Sequence, residues 1–131
     1  MQSGLQEECW RSAERWCTLI SVDNDIETDG AESFAGVLGQ CAALVHLDLW
    51  NNDITDAGAE FLAGVLAQCP ALALLHLSHN GIGPDGAESL AGVLGQCTAL
   101  AHLNLQRNGI EAVGKGRLRA SWCGQASGLV L

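Results

Sequence analysis

The stretch LALLHLSHNGI, from Leu72 to Ile82, occurs in closely similar form on both sides of itself along the chain. An earlier copy, LVHLDLWNNDI, starts at Leu44, and a later copy, LAHLNLQRNGI, starts at Leu100, so the three starts are evenly spaced. A fixed period of about 20 to 50 residues is the sequence signature of stacked repeats. The 28-residue period therefore predicts one structural unit repeated along the chain, and the other motifs are interpreted against it.

Alternating leucines predict a short β-strand in each copy. Side chains at alternate positions of a strand share one face, so Leu75 and Leu77 are expected to enter a common core. The residues between them, and the turn residue that follows, are expected to project away from the core, toward a partner. In the three copies these candidate binding residues are His46, Asp48, Trp50 and Asn51, then Leu74, His76, Ser78 and His79, then His102, Asn104, Gln106 and Arg107.

An asparagine recurs where each predicted strand ends, at Asn24, Asn52, Asn80 and Asn108. A side-chain amide can bond to the backbone of its own turn and of the neighbouring layer, which satisfies buried polar groups outside the sheet. These asparagines are therefore expected to be structural. Loss of that role in Asn80→Leu is expected to cost roughly 1–3 kcal/mol through unpaired backbone groups.

A helical segment follows each predicted strand, such as GAEFLAGVL from Gly58 and GAESLAGVL from Gly86, with apolar residues at helical spacing. An aspartate followed three residues later by a glutamate, as in Asp85 and Glu88, predicts a helix start that carboxylates stabilise. A strand, a helix and another parallel strand build a parallel sheet. The sequence therefore predicts an α/β repeat architecture.

The unit L-x-x-L-x-L-x-x-N-x-I, followed by G-A-x-x-[LF]-A-x-x-L, resembles the leucine-rich repeat of the ribonuclease-inhibitor subtype over about residues 16–118. Its 28-residue length is similar to that of the C-terminal repeat region of NOD-like receptors. The resemblance implies a leucine-rich-repeat solenoid, a horseshoe arc of about four repeats. It places a parallel β-sheet on the concave side and α-helices on the convex side.

The chain is expected to form a single leucine-rich-repeat domain over residues 1–131. The expected parts are an N-terminal capping helix or half-repeat over 1–15, a degenerate repeat over 16–43, repeats over 44–71, 72–99 and 100–120, and a divergent tail over 121–131. The tail is expected either to form a frayed strand through Leu129 and Leu131 or to be poorly ordered. Cys41, Cys69 and Cys97 share one phase of the repeat, which favours buried thiols over disulfides.

Charge is distributed unevenly along the chain. The net charge is −9, yet Arg107, Lys115, Arg117 and Arg119 lie together near the C-terminal end. An acidic body is repelled by nucleic acid and by anionic membranes, so neither is expected as a partner. No apolar run approaches the roughly 20 residues of a membrane span, and the N-terminus lacks a signal-peptide pattern, so a cytoplasmic location is expected.

One glycine motif imitates a cofactor site. Residues Gly81 to Gly86 match the dinucleotide pattern G-x-G-x-x-G between a predicted strand and a predicted helix. However, Gly86 belongs to the repeat itself, and Asn104 stands near the position where an acidic residue is needed. No nucleotide or other cofactor is therefore predicted.

The histidines and serines do not predict a metal site or a catalytic site. His46 and His102 are expected to share a row that Leu74 interrupts, so they should not converge on zinc. No serine, cysteine or carboxylate shows a plausible base and orienting partner in the sequence, so no enzyme activity is expected.

A protein-interaction module that binds a partner on its concave face is the function that these features favour. Trp50 is the best candidate anchor, because an outward tryptophan has no role in the core and large aromatics dominate interface energies. The resemblance implies a sensing or regulatory role like that of NOD-like receptors in innate immunity. Two alternatives stay open: an enzyme inhibitor of the ribonuclease-inhibitor type, and a truncated isoform without independent function that self-associates through uncovered ends.

Overall fold

The computed structural model describes residues 17–20 and 43–131. Within these residues the strands are β1 (Cys17–Ile20), β2 (Leu44–Asp48), β3 (Leu74–His76), β4 (His102–Asn104) and β5 (Leu129–Val130). The helices are α1 (Thr55–Leu66), α2 (Pro84–Leu94), α3 (Ala112–Ser121) and a short 3-10 helix (Ala126–Gly128).

The strands form one parallel sheet in which the strand order follows the chain order. Leu47 pairs with Leu75, and Leu75 pairs with Leu103, so equivalent positions of the repeat lie side by side. Leu19 pairs with Leu47 at the same spacing, so β1 is in phase with the later strands. Helix α1 packs against α2, and α2 packs against α3. Strands β2, β3 and β4, each with the helix after it, therefore form three layers of a stack.

The last layer is shorter than the others. Leu103 lies beside Leu129 in the β4–β5 pairing, whereas the repeat period would place Leu131 there. Gly114 and Leu118 still keep the period and are buried on α3, so the shortening comes after Leu118. Of the two alternatives for the tail, the structure has the strand. Its register differs from the period because the chain reaches the sheet after a shorter connection.

The core lies between the sheet and the helices and consists mainly of leucines. Leu44, Leu47 and Leu49 are each at most 1% exposed, and the equivalent leucines of the next layer are buried as well. Leu62 on α1 and Leu90 on α2 close the core from the other side. Full burial of such a side chain contributes about 1.5–3 kcal/mol. The predicted assignment of the alternating leucines to the core is confirmed.

The asparagines at the strand ends connect neighbouring layers. The Asn80 Oδ1 accepts from the Asn52 N–H at 2.7 Å, and its Nδ2 donates to the carbonyls of Leu49 at 2.8 Å and Leu77 at 3.1 Å. The Asn108 Oδ1 accepts from the Asn80 N–H at 2.9 Å, and its Nδ2 donates to the Leu77 carbonyl at 2.9 Å. The predicted structural role is confirmed for these two asparagines. This ladder fixes where the chain leaves each strand.

The start of α2 is stabilised by the layer before it. The helix begins at Pro84, where a missing N–H costs nothing, and Gly83 is its N-cap residue. The Asp56 carboxylate of α1 accepts the N–H groups of Gly83 at 2.5 Å and Gly86 at 2.9 Å. A carboxylate at a helix N-terminus satisfies free amides and the helix dipole. The helix start and the packing of α1 on α2 therefore depend on the same side chain.

The predicted helix start is confirmed in position, with Asp85 in the first turn of α2, but the prediction that Asp85 and Glu88 cap the helix was wrong. The helix starts before Asp85, and no side chain of its own caps it. The Glu88 Oε1 lies 3.5 Å from the Arg117 Nη1 on α3, and both side chains are mostly exposed. An exposed pair of this kind contributes about 0–1 kcal/mol.

Asp56→Ala is expected to lower the free energy of unfolding by about 1 kcal/mol, because two amides at the start of α2 lose their acceptor. Urea denaturation monitored by circular dichroism measures the change. Glu60→Ala, an exposed acid on the same helix, is the matched control and should change stability by less than about 0.5 kcal/mol. Equal losses in the two variants would show that Asp56 does not act as an inter-layer cap.

Several predicted features lie outside the described residues. They are the capping helix over 1–15, most of the degenerate repeat over 16–43, the ladder position Asn24 and the cysteine Cys41. Within the described part of the chain, no helix has the length and apolar character needed to cross a membrane.

Candidate functional site

The candidate site is the sheet surface opposite the helices, which we name the open face. It comprises the outward residues of β2, β3 and β4 and the turn residues after them: His46, Asp48, Trp50, Asn51, Leu74, His76, Ser78, His79, His102, Asn104, Gln106 and Arg107. The parallel register arranges them in rows across the layers. Leu74 lies between His46 and His102, as predicted, and Asp48 lies beside His76.

Most of these side chains are accessible, but Ser78 is not. Asn51, His79, His102, Gln106 and Arg107 are exposed. His46, Asp48, Trp50, Leu74, His76 and Asn104 are partly exposed. Ser78 is only 4% exposed. The expectation that Ser78 projects freely toward a partner was therefore wrong.

Ser78 takes part in a line of polar contacts that crosses two layers. The Asp48 Oδ1 lies 3.3 Å from the His76 Nδ1, and the His76 Nε2 lies 2.7 Å from the Ser78 Oγ. The Trp50 backbone N–H donates to the same Asp48 oxygen at 3.1 Å. We name Asp48, His76 and Ser78 the relay. In it, a carboxylate orients an imidazole whose other nitrogen contacts a hydroxyl.

The relay gives Ser78 a histidine neighbour that an aspartate contacts in turn, and the sequence did not predict these contacts. The signal was present in the repeat period, because Asp48 and His76 occupy equivalent positions of adjacent layers. Ser78 follows His76 by two residues and lies on the same side of the strand. The repeat period predicts all three residues on one face, but it carries no information on whether their side chains bond to each other.

An aromatic pair lies at the edge of the relay. The ring centroids of Trp50 and His79 are 5.5 Å apart with an interplanar angle of 69°, an edge-to-face arrangement. The two residues belong to adjacent layers, so the contact holds the indole across the layer boundary. Trp50 is partly exposed, and it therefore offers apolar surface to a partner from a fixed position.

The turn residue after each strand has an unusual backbone. Asn51, His79 and Arg107 have φ angles of 57°, 59° and 60°. Only a few per cent of non-glycine residues adopt this left-handed region. Cross-layer bonds hold it in place: the Asn51 N–H donates to the Ser78 carbonyl and the His79 N–H donates to the Gln106 carbonyl, each at 3.1 Å. The three side chains therefore leave the corner of the open face in one repeated direction.

A shallow groove of about 310 Å³ lies beside the relay and crosses β3, β4 and β5. Its accessible lining residues include Leu74, His76, His102, Asn104 and Val130. The volume lies at the lower end of the range for small-molecule sites, about 300–1,000 Å³. The groove thus places apolar surface next to the His76 ring.

Comparison with known proteins gives this geometry a family context. Residues 40–63 and 68–91 each match the model of a leucine-rich repeat. The fold is a leucine-rich-repeat solenoid. Among the 48 solved chains that match, the structure described as "Leiomodin-1 Actin-Binding Site 2 (ABS2)" has a TM-score of 0.79. It is 18% identical, and the alignment covers 98% of this chain and 76% of that chain.

That likeness shows the fold alone, because the identity is low. No curated protein sequence matches the chain. Stacked repeats of this kind present extended surfaces to partners, and leucine-rich-repeat domains are in general noncatalytic modules that bind proteins.

Within residues 17–20 and 43–131, no three histidine, cysteine, aspartate or glutamate side chains are grouped so that they could hold a metal ion. Zinc requires ligands that converge at about 2 Å. Leu74 separates His46 from His102 across the solenoid layers, and His76 is bonded to the relay.

Two of the cysteines that share one phase of the repeat lie in the turns after α1 and α2. Cys69 and Cys97 are buried, and each thiol contacts the carbonyl four residues earlier, at 3.7 and 3.4 Å. The predicted buried positions are confirmed for both. The spacing from Cys97 to Cys123 equals the spacing from Leu103 to Leu129, as the shortened last layer requires. Cys123 is exposed. Burial, and secondarily the neighbouring Cys123, raise the pKa of Cys97.

Iodoacetamide at pH 8 is expected to alkylate Cys123 at least roughly tenfold faster than Cys97 in the native protein, because the thiolate is the reactive form and access is also needed. Peptide mapping by mass spectrometry measures both rates in one sample. In denaturant the two rates should converge. A native Cys97 that reacts as fast as Cys123 would contradict its buried position.

Proposed function

We propose that this chain is a protein-interaction module that binds its partner on the open face. The observation that carries the proposal is Trp50, an indole held in place by the His79 ring at 5.5 Å yet still partly exposed. Interface energy concentrates in a few aromatic and arginine side chains, and a side chain that is already fixed loses little entropy on binding. Arg107 at the far corner offers the second type of anchor.

The finer proposal is a regulatory or sensing module in the cytoplasm, like the repeat region of NOD-like receptors. The 28-residue unit and its helical outer side support this finer proposal.

The charge of the open face argues against the alternative of a ribonuclease-inhibitor-type enzyme inhibitor. Asp48 is the single carboxylate among the twelve open-face residues, against Arg107 and four histidines. Such a face does not favour a strongly basic ligand, in spite of the net charge of −9.

The solved leiomodin neighbour is described as an actin-binding site. At 18% identity this likeness supports the fold and no particular partner. Actin is therefore one defined protein to test beside an unbiased capture from cell lysate.

Trp50→Ala is expected to weaken partner binding by about 2 kcal/mol, a roughly 30-fold rise in Kd, while the fold stays intact. The capture uses immobilised wild-type chain, and the Kd of each captured protein is then measured by calorimetry. Val113→Ala is the matched control, because Val113 is an apolar side chain on α3 that is 72% exposed and lies away from the open face. It should leave the Kd unchanged.

Two outcomes would contradict the proposal. In one, a captured protein binds Trp50→Ala as tightly as wild type. In the other, Val113→Ala lowers affinity while Trp50→Ala does not, which would move the binding surface to the helical side. A Trp50 and His76 double substitution extends the test to the centre of the face.

A further inference from the structure

The charge of the open face is opposite in trend to the charge of the whole chain. The chain has 15 aspartate and glutamate residues against 6 lysine and arginine residues. The twelve open-face residues include one carboxylate, Asp48, together with Arg107 and four histidines. Interfaces are arranged so that the charges of the two partners are complementary. The face is therefore suited to a partner that carries negative charge.

The carboxylate of the open face is engaged within the face itself. The Asp48 Oδ1 lies 3.3 Å from the His76 Nδ1 and accepts the Trp50 N–H at 3.1 Å. Asp48 therefore offsets the charge of a protonated His76 and adds little repulsion against an acidic partner. The next carboxylate along the chain, Asp53, lies in the turn beyond the face, where its Oδ1 is 3.9 Å from a Cβ built at Gly81.

Three histidines of the face have no carboxylate contact among the described residues. His46 and His102 lie in one row with Leu74 between them, two strand spacings or about 10 Å apart. His79 lies at the corner of the face and contacts the Trp50 ring. The outer strands β1 and β5 bring no charged residue to the face. Because histidine gains its charge between about pH 8 and 5, the positive charge of the face grows as the pH falls.

We propose that the open face binds an acidic protein segment, with an affinity that rises as its histidines take up protons. This inference rests on the proposed function, because it names the partner class of the same face. Arg107 supplies a charge at every physiological pH. His46, His79 and His102 add charge between pH 8 and pH 6, while the glutamates and aspartates of the segment stay ionised. Affinity therefore increases as the pH falls through this range.

The groove beside His102 adds a second requirement on the segment. Gly128 continues the row of Leu74 and His102 into β5, so no side chain fills the end of that row. Leu74 and Val130 give the groove an apolar lining, and its volume of about 310 Å³ is sufficient for an aliphatic side chain. The segment thus carries an aliphatic residue between its carboxylates.

Fluorescence anisotropy with a defined peptide tests this partner class on the full chain at low ionic strength. The probe is a fluorescein-labelled peptide with one leucine between two runs of glutamate, and the same peptide with glutamine for glutamate is the neutral control. We expect the Kd of the acidic peptide to be about fivefold lower at pH 6 than at pH 8, because each exposed charge pair contributes modestly. The neutral peptide should bind about tenfold more weakly at pH 6.

Three variants locate the effect. His46→Gln combined with His102→Gln should reduce the ratio of the two Kd values to about twofold or less, because two of the titrating groups are gone. Arg107→Gln should weaken binding about threefold at both pH values and keep the ratio, because the guanidinium is charged at both. Arg119→Gln removes the same charge from an exposed position on α3 and should match wild type.

The acidic class is overturned if the acidic peptide does not bind at pH 6 or binds no better than the neutral one. It is also overturned if the double histidine variant keeps the wild-type ratio, or if Arg119→Gln weakens binding as much as Arg107→Gln. The proposed function fails separately. A captured protein whose binding depends on Trp50 but has equal Kd at pH 6 and pH 8 overturns the acidic class and leaves binding on the open face intact.

Discussion

Asn80→Leu is expected to lower the free energy of unfolding by about 3 kcal/mol, the top of the range for leaving buried polar groups unpaired. The Asn80 Oδ1 accepts from the backbone N–H groups of Asn52 and Ile54, and the Nδ2 donates to the carbonyls of Leu49 and Ser78. Leucine has a similar volume but can satisfy none of them. Because these groups lie in two layers, the loss weakens the stacking as well as the turn.

Urea denaturation followed by circular dichroism measures this loss. Asn104→Leu is the matched control, since Asn104 is a partly exposed asparagine of the next layer whose side chain accepts from the Gln106 N–H at 3.0 Å. It should change stability by less than about 1 kcal/mol. If Asn80→Leu is no more destabilising than this control, the ladder does not hold the layers together.

Gly86→Ala is expected to destabilise the fold by about 1–2 kcal/mol, although alanine is the better helix former. An added Cβ at Gly86 would lie 2.7 Å from the Asp56 Oδ1, 2.7 Å from the Ile82 Cγ2 and 3.1 Å from the Ala59 Cβ. The two shorter distances are ones that real Cβ atoms do not show, so the Asp56 carboxylate that caps α2 and the Ile82 side chain would have to move, while the Ala59 Cβ on α1 leaves little room. Overpacking of this kind costs typically about 1–3 kcal/mol, and it exceeds the roughly 1 kcal/mol that alanine gains over glycine in a helix.

Gly92→Ala, in the same helix, is expected to change stability in the opposite direction. No atom lies within 4 Å of a Cβ built at Gly92, and the residue is exposed. The substitution should raise stability by about 0.5–1 kcal/mol, because only the helix preference changes. Thermal melts of the two variants measure the difference. Stabilisation by both would refute close contact between the helices at Gly86.

The layer architecture could be predicted from the sequence because it depends on residues that repeat. Leu75, Leu77 and their equivalents in the β2 and β4 layers are buried for the same reason, and Asn80 bonds to the backbone, whose geometry also repeats. Backbone bonds are independent of the neighbouring side chains. The repeat period was therefore sufficient to assign the core, the ladder and the open face.

Contacts between unlike side chains of adjacent layers were not predicted. The Asp56 cap on the Gly83 and Gly86 N–H groups and the three-residue relay each depend on particular side chains that the other described layers do not repeat. In the sequence, such a contact shows only as two chemically complementary groups that lie about one repeat period apart. The shortened last layer was missed for a different reason: Leu118 keeps the period, and the shortening comes after it, in a connection with no pattern to follow.

The consequence for the candidate site is a division of roles within one face. The His76 and Ser78 side chains bond to each other at the centre of the open face. The side chains of Trp50, His79 and Arg107 remain at least partly exposed and can contact a partner. This division differs from the expectation that all outward residues are equally free.

The central claim, that a partner binds the open face, is tested most directly by hydroxyl-radical footprinting of the chain with and without a captured partner. Tryptophan and histidine side chains oxidise readily, so their extent of oxidation measures how accessible the open face is. We predict that the partner protects Trp50 and His79 from oxidation and leaves Val113 on α3 unprotected. Protection of Val113 with unchanged oxidation of Trp50 and His79 would contradict the claim.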